Sequence, residues 1–123
     1  MTKSIKDILI KDLNARVNGS LWLEVGDGHF FGPGPVELLE RIAETGSISN
    51  AAKEMKMSYK KAWELINRLN AQMATPVVIP QAGGEKGGGS IITSEAIELI
   101  KYHRLLRKRF ADFLEKETKR LKF

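Results

Sequence analysis

The chain has 123 residues, 42% apolar and 28% charged, a composition that fits one globular domain with a modest core. It has no cysteine, which excludes a disulfide framework and any thiolate metal site. With 20 Lys and Arg against 15 Asp and Glu the net charge is +5, which permits a polyanionic partner without requiring one.

The first 13 residues, MTKSIKDILIKDL, carry a charge every few positions and hold no uninterrupted apolar stretch. They are not expected to act as a secretory signal. No run of about 18 apolar residues exists to cross a membrane. A cytoplasmic protein with no membrane partner is the expectation. Within this segment Ile5, Ile8, Leu9 and Leu13 sit at helical spacing, while Ile8 and Ile10 also fit a strand, and both readings stay open. Residues 15–31 are predicted as a small β-meander. Asn18-Gly19 is a strong hairpin pair, because both central positions of a type I′ turn need positive φ. LWLEV alternates, and Asp27-Gly28 gives a second turn signal before His29-Phe30-Phe31.

Gly32-Pro33-Gly34-Pro35 breaks the chain, and Pro35 is well placed to open a helix. Over residues 36–46 the residues Leu38, Leu39, Ile42 and Ala43 share one stripe, and Gly46 is expected to cap the helix end. Ser47 or Ser49 then caps the next helix, in which Ala51, Ala52 and Met55 face inward. The small alanines allow two short helices to cross closely. Met57-Ser58 makes a turn, and Ser58 caps a third helix with Ala62, Leu65, Ile66 and Leu69 on its apolar face. Two short strands, 77–80 and 90–93, bracket the loop that contains Gly83-Gly84-Glu85-Lys86-Gly87-Gly88-Gly89, which reads as a long hairpin or wing. From Ser94 to about Leu121 a helix is predicted, with Ile97, Ile100, Leu106, Phe110, Phe113 and Leu114 on its apolar side. Twenty-eight residues span about 42 Å at 1.5 Å each. So long a stripe exceeds what a domain of this size covers, and a second copy of the chain is the simplest cover.

Residues 47–70 therefore have the layout of a helix-turn-helix, whose second helix lies in the DNA major groove. Groove entry needs short polar donors on the first turn and a basic outer face. Ser58, Tyr59, Lys60 and Lys61 supply these, and Asn67 and Arg68 extend the polar face. Between residues 53 and 68, five cations against two carboxylates leave +3. The start of the preceding helix, at Ser47, Ser49 and Asn50, offers backbone N–H groups to a phosphate. An ordinary helical hairpin with a solvated basic face is the competing reading. Trp63 is expected between the recognition helix and the wing, whereas Tyr59 is open between core and DNA contact.

The glycine loop does not meet the phosphate-cradle form G-x-x-x-x-G-K-[ST], because Lys86 precedes the later glycines and a strand intervenes before the helix. Its glycines are instead expected to bring backbone close to DNA phosphate or the minor groove, with Gly87 and Gly88 at the approach and Lys86 as the charged tip; a flexible solvent loop is the competing reading. The nine basic residues between 101 and 122, against Asp112, Glu115 and Glu117, most simply form a solvated helix face. His29 and His103 stand alone, with no H-E-x-x-H pair and no G-x-S-x-G elbow. No catalytic residue, metal site or cofactor is expected, and the chain does not read as an enzyme.

Several of these residues recur together in a known pattern. They are Gly46-Ser47-Ile48-Ser49, Ala51-Ala52, Ser58-Tyr59-Lys60 followed by Ala62-Trp63, Asn67 with Asn70, and the glycine loop of 83–89. At these spacings, over roughly 33–114, the chain resembles the N-terminal DNA-binding domain of the molybdate-responsive (ModE-type) transcription regulators. Their helix-turn-helix is related to that of LysR-type regulators. The resemblance implies a homodimeric winged helix that reads a palindromic operator in double-stranded DNA through the helix starting at Ser58. There are two departures. Lys56 stands in the turn where such motifs often carry glycine, so it must accept an uncomfortable backbone angle. Full regulators also carry a C-terminal oxyanion-binding domain, onto whose ligand site no residue of this chain maps. Effector sensing is accordingly expected to be lost or housed in a separate partner.

The resulting expectation is an α+β, mainly α fold, a single winged helix-turn-helix domain. Residues 1–34 would form the N-terminal meander, 35–93 the helix-turn-helix and wing, and 94–123 the C-terminal dimerisation helix. Its function would be sequence-specific transcriptional regulation. A winged-helix protein-interaction module and a non-specific architectural DNA-binding protein are the alternatives.

Overall fold

A computed structural model describes residues 3–26, 28–81 and 89–121. In chain order its elements are α1 (Ile5–Ile8), β1 (Leu23–Val25), β2 (Gly28–Phe31), α2 (Pro33–Thr45), α3 (Ile48–Glu54), α4 (Tyr59–Ala71), β3 (Val78–Gln81), β4 (Gly89–Ile92) and α5 (Ser94–Leu121). The chain divides into two compact units, Trp22–His103 on the one hand and Met1–Leu21 with Arg104–Phe123 on the other. Helix α5 contributes residues to both.

The unit Trp22–His103 is built around three short helices. Gly32 caps α2 and Pro33 takes its first turn, two residues earlier than a start at Pro35. Proline is favoured there because its missing N–H would have no partner anyway. At the far end Gly46 adopts φ +72 and donates its N–H to the Ile42 carbonyl, closing α2 as a left-handed cap. Leu38, Leu39 and Ile42 are fully buried, whereas Ala43, expected on the same stripe, is exposed. Val36, on the same side of α2 as Ala43 but near the start of the helix, is buried, so that side is covered only along its first turns. Ser47 caps α3 by accepting the Asn50 N–H at 3.1 Å, and Ser58 caps α4 by accepting the Lys61 N–H at 3.1 Å. Ala51 and Ala52 of α3 are buried beside Ala62, Ile66 and Leu69 of α4. Between these helices Lys56 sits at φ +55, the left-handed angle anticipated for a residue standing where glycine is common.

Two antiparallel hairpins complete this unit. In the first, Val25 pairs with Gly28 and Glu24 with His29, with a bulge between Leu23 and Glu24. Gly26 is left-handed, at φ +62, and Gly28, expected in the turn, already belongs to the strand, while Asp27 lies outside the described residues. In the second, Val78 pairs with Ile92, Ile79 with Ile91, Pro80 with Ser90 and Gln81 with Gly89. Phe31, Val36, Val77, Val78, Ala96 and Ile100 join the helical residues in one core. His103 is buried edge-on against the Phe31 ring at 5.5 Å, and His29 stacks on Trp22 at 4.4 Å.

Thr93 ties the second hairpin to α5. Its hydroxyl donates to the Pro76 carbonyl at 2.8 Å and accepts the Ala96 N–H at 3.2 Å, so it also caps the helix. Helix α5 covers the predicted range. Ile100 on its expected stripe is buried, but Ile97 and Phe113 are exposed and Leu106, Phe110 and Leu114 are half-buried.

The other unit corrects the N-terminal reading. No meander forms: among the described residues 15–22 there is no strand, and Gly19 is not in the left-handed region that a type I′ turn requires. The Val17 N–H instead donates to Thr118 Oγ1 at 2.9 Å, and the Gly19 Cα lies against the Phe110 ring. Ahead of it α1 is a single turn, held by the Asp7 carboxylate accepting the Ser4 N–H at 3.0 Å. The turn pair fails to make a hairpin because its flanking backbone finds partners on α5 rather than on itself.

Candidate nucleic-acid interface

Helix α4 has a buried side and three exposed sectors, set by its 3.6-residue turn. Ala62, Ile66 and Leu69 fill the core. Diametrically opposite, Lys60, Glu64 and Asn67 are exposed. On one flank Tyr59 and Trp63 stand four residues apart, 51% and 43% exposed. On the other, Lys61 and Arg68 stand seven apart, both exposed. The N-cap at Ser58 holds the first turn rigid, so Tyr59, Lys60 and Lys61 project from a fixed backbone.

Each flank overlooks a groove. The first, about 370 Å³, lies between α4 and the β3–β4 hairpin. It is lined by Tyr59, Trp63, Ile66, Ile79, Pro80 and Ser90 among others. Trp63 thus lies between α4 and the β3–β4 hairpin, as its position in the sequence led us to expect. The second, about 350 Å³, brings Lys61 and Arg68 beside Trp22, His29 and Phe30. Sequence reasoning missed this second surface, because nothing local connects residues 22–30 to α4.

The frame that holds the hairpin against the helices is a set of backbone and amide contacts. The Ser90 N–H donates to the Gly46 carbonyl at 2.9 Å, so the helix cap of α2 is also an anchor for β4. A Cβ on Gly89 would lie 2.6 Å from that same carbonyl oxygen, so the strand needs glycine there. Asn70 Oδ1 accepts the Val77 N–H at 2.7 Å and ties the end of α4 to the start of β3. Asn70, singled out in the sequence beside Asn67, therefore holds the fold, whereas Asn67 faces outward.

Ser49 and Asn50 are exposed on the first turn of α3, and Ser47 is half-buried with its hydroxyl already committed to the Asn50 N–H. One of the donors expected for a phosphate is thereby satisfied within the chain. Arg41 is likewise committed. It donates to Glu37 at 2.8 Å and Glu54 at 2.9 Å, bracing α2 against α3. The hydrogen bond to Glu37, then that to Glu54, raises its pKa above the ordinary guanidinium value. Glu54 is thus paired with Arg41, which leaves the exposed Glu64 against Lys53, Lys56, Lys60 and Lys61 on this surface. Lys86, Gly87 and Gly88 lie outside the described residues. Among the described residues no group of three or more His, Cys, Asp or Glu is placed to hold a metal ion, and no helix is long and apolar enough to cross a membrane.

Residues 35–93 match the bacterial regulatory helix-turn-helix proteins of the lysR family. The chain is 36% identical over 86 residues to the molybdenum transport protein ModE of Azotobacter vinelandii, a match covering 70% of this chain and 32% of that protein. It is 40% identical over 86 residues to the molybdenum-pterin-binding protein MopB of Rhodobacter capsulatus, covering 70% and 32%. It is 39% identical over 87 residues to the DNA-binding transcriptional dual regulator ModE of Escherichia coli K12, covering 70% and 33%. The matched region is thus about a third of the length of these relatives.

Proposed function

Residues 35–93 are a LysR-type helix-turn-helix domain, and from that premise we propose that the protein is a non-enzymatic, sequence-specific DNA-binding transcription regulator. The observation that carries the reading is the first turn of α4. It is capped by Ser58 and presents Tyr59, Lys60 and Lys61 to solvent, with Asn67 and Arg68 exposed further along. A helix of 13 residues is about 20 Å long and fits a major groove about 12 Å wide. Lys60 and Lys61 would hold phosphates, and Ser49 and Asn50 would meet the backbone at the start of α3. Lys86, Gly87 and Gly88 would reach the flanking DNA as a wing.

The proposed state is a homodimer on a palindromic operator, with half-sites about 34–36 Å apart or a multiple of that. Exposed Leu105 and Phe113 on α5 support it, since large apolar side chains on one helix face gain by being covered. Phe113 stacks on Phe110 at 6.3 Å, so a partner would meet a preformed aromatic pair. The names of the relatives tie them to molybdenum and transcription. We extend to this chain the regulation of genes in that setting, with the effector sensed by a separate partner.

Selection of fragmented source-genome DNA on the purified protein at about 0.15 M salt tests the reading, because that ionic strength weakens non-specific phosphate binding. Enrichment of a few fragments sharing an inverted repeat is expected. Uniform retention of all fragments would replace the proposal with an architectural role. No retention, with or without added molybdate, would replace it with a protein-docking role.

A further inference from the structure

The groove between α4 and the β3–β4 hairpin has a chemistry that the surrounding positive charge does not explain. Tyr59 and Trp63 line it from the helix, Ile66, Ile79 and Pro80 extend the apolar lining, and Asn67, Asn70 and Ser90 add polar groups. Residues four apart are neighbours on a helix surface, so the two rings form one continuous flank. Both are large and substantially exposed, although neighbouring core positions on the same helix are buried. A phosphate is a poor occupant for such a wall, because its charge would be desolvated against carbon. The major groove of DNA does offer one apolar group, the C5-methyl of thymine. Tyr59 is the first residue of α4, the place where recognition helices meet base edges. Lys60 and Lys61 follow on the same turn, on the side away from the aromatic flank, and complement phosphate, so charge brings the turn to the groove and the aromatic flank meets the base edges.

We propose that Tyr59 and Trp63 are specificity determinants whose ring faces read the 5-methyl group of a thymine in each half-site. This rests on the DNA-binding reading above and assigns it a chemical discriminator. The contact is apolar, so it contributes to sequence preference and not to salt dependence.

The test uses the site recovered by selection from random duplex DNA, with each thymidine replaced in turn by deoxyuridine, which deletes only the methyl group. With the unmodified protein, one position in each half-site should bind about fourfold more weakly, the loss expected for one buried methyl-sized group. The same ratio should hold at low and high salt. It should vanish in Tyr59→Ala or Trp63→Ala and persist in Tyr59→Phe, which keeps the ring. A selected site at which every deoxyuridine substitution is neutral would overturn the assignment while leaving the regulator reading intact. A methyl effect that persists unchanged in both alanine variants would also overturn it, by giving the contact to another residue. Failure to select any site would remove the DNA-binding reading and this one with it. Should Trp63→Ala not fold, the unmodified protein on substituted DNA and the exposed-site variant Tyr59→Ala still decide the question.

Discussion

Lys56→Gly should make the protein more stable, an unusual sign for a substitution that deletes an entire side chain. Lys56 follows the end of α3 at φ +55, and its N–H donates to the Lys53 carbonyl at 3.1 Å. The next residue, Met57, donates back to the Ala52 carbonyl at 3.0 Å, the closure that a left-handed residue makes possible after a helix. An L-residue in this conformation costs about 1–2 kcal/mol because its Cβ crowds the following carbonyl. Glycine removes that strain but adds unfolded-chain entropy worth about 0.5–1 kcal/mol. The Lys56 side chain is exposed, so no packing is lost. The net gain is about 0.5–1 kcal/mol, or a rise in Tm of about 2–4 °C for a chain of this length. Thermal unfolding followed by far-UV circular dichroism reads it directly. Lys56→Ala is the control, since it removes the charge and keeps the Cβ, and its Tm should match that of the unmodified protein. A Tm for Lys56→Gly equal to or below that of Lys56→Ala would refute the reasoning, because the strain would then not be stored in the backbone.

Other substitutions probe the frame and the interface separately. Gly89→Ala places a Cβ against the Gly46 carbonyl and displaces the Ser90 hydrogen bond, and denaturant titration should show a loss of about 1–3 kcal/mol. Asn70→Ala strands the N–H of the fully buried Val77 and should cost about 1–3 kcal/mol, with Asn70→Asp losing less because it retains the acceptor. Lys60→Ala and Lys61→Ala should leave Tm unchanged and weaken DNA binding, each lowering the slope of log K against log salt by about one unit where the lysine meets a phosphate. Unchanged affinity in both would sink the assignment of α4 as the recognition helix. Phe113→Asp should convert the protein to monomer in sedimentation equilibrium without unfolding it, since the ring is 54% exposed; an unchanged dimer would place the interface elsewhere.

What the sequence determined by itself is the set of features closed within one helical turn. Gly46 ends α2, Ser47 and Ser58 start α3 and α4, and Lys56 takes the left-handed angle, because each answers a backbone demand three or four residues away. The 3.6-residue period likewise placed α4 and the whole of α5, Ser94–Leu121. What only the tertiary structure decided is which neighbour covers or binds a group that is far away in the chain. Asn18-Gly19 carries the local chemistry of a hairpin, yet the Val17 N–H is taken by Thr118, 101 residues later. Gly89 reads as one glycine of a loop, yet it is required by the close approach of the Gly46 carbonyl. Asn67 and Asn70 look equivalent in sequence, and only the position of Val77 makes one a brace and leaves the other exposed. Tyr59 and Trp63 carry a core-like spacing, and their exposure follows from where the β3–β4 hairpin stops covering α4. Caps and periodicity are properties of a short segment and can be read along it. Burial and long-range hydrogen bonds depend on how segments pack, which no short segment encodes alone.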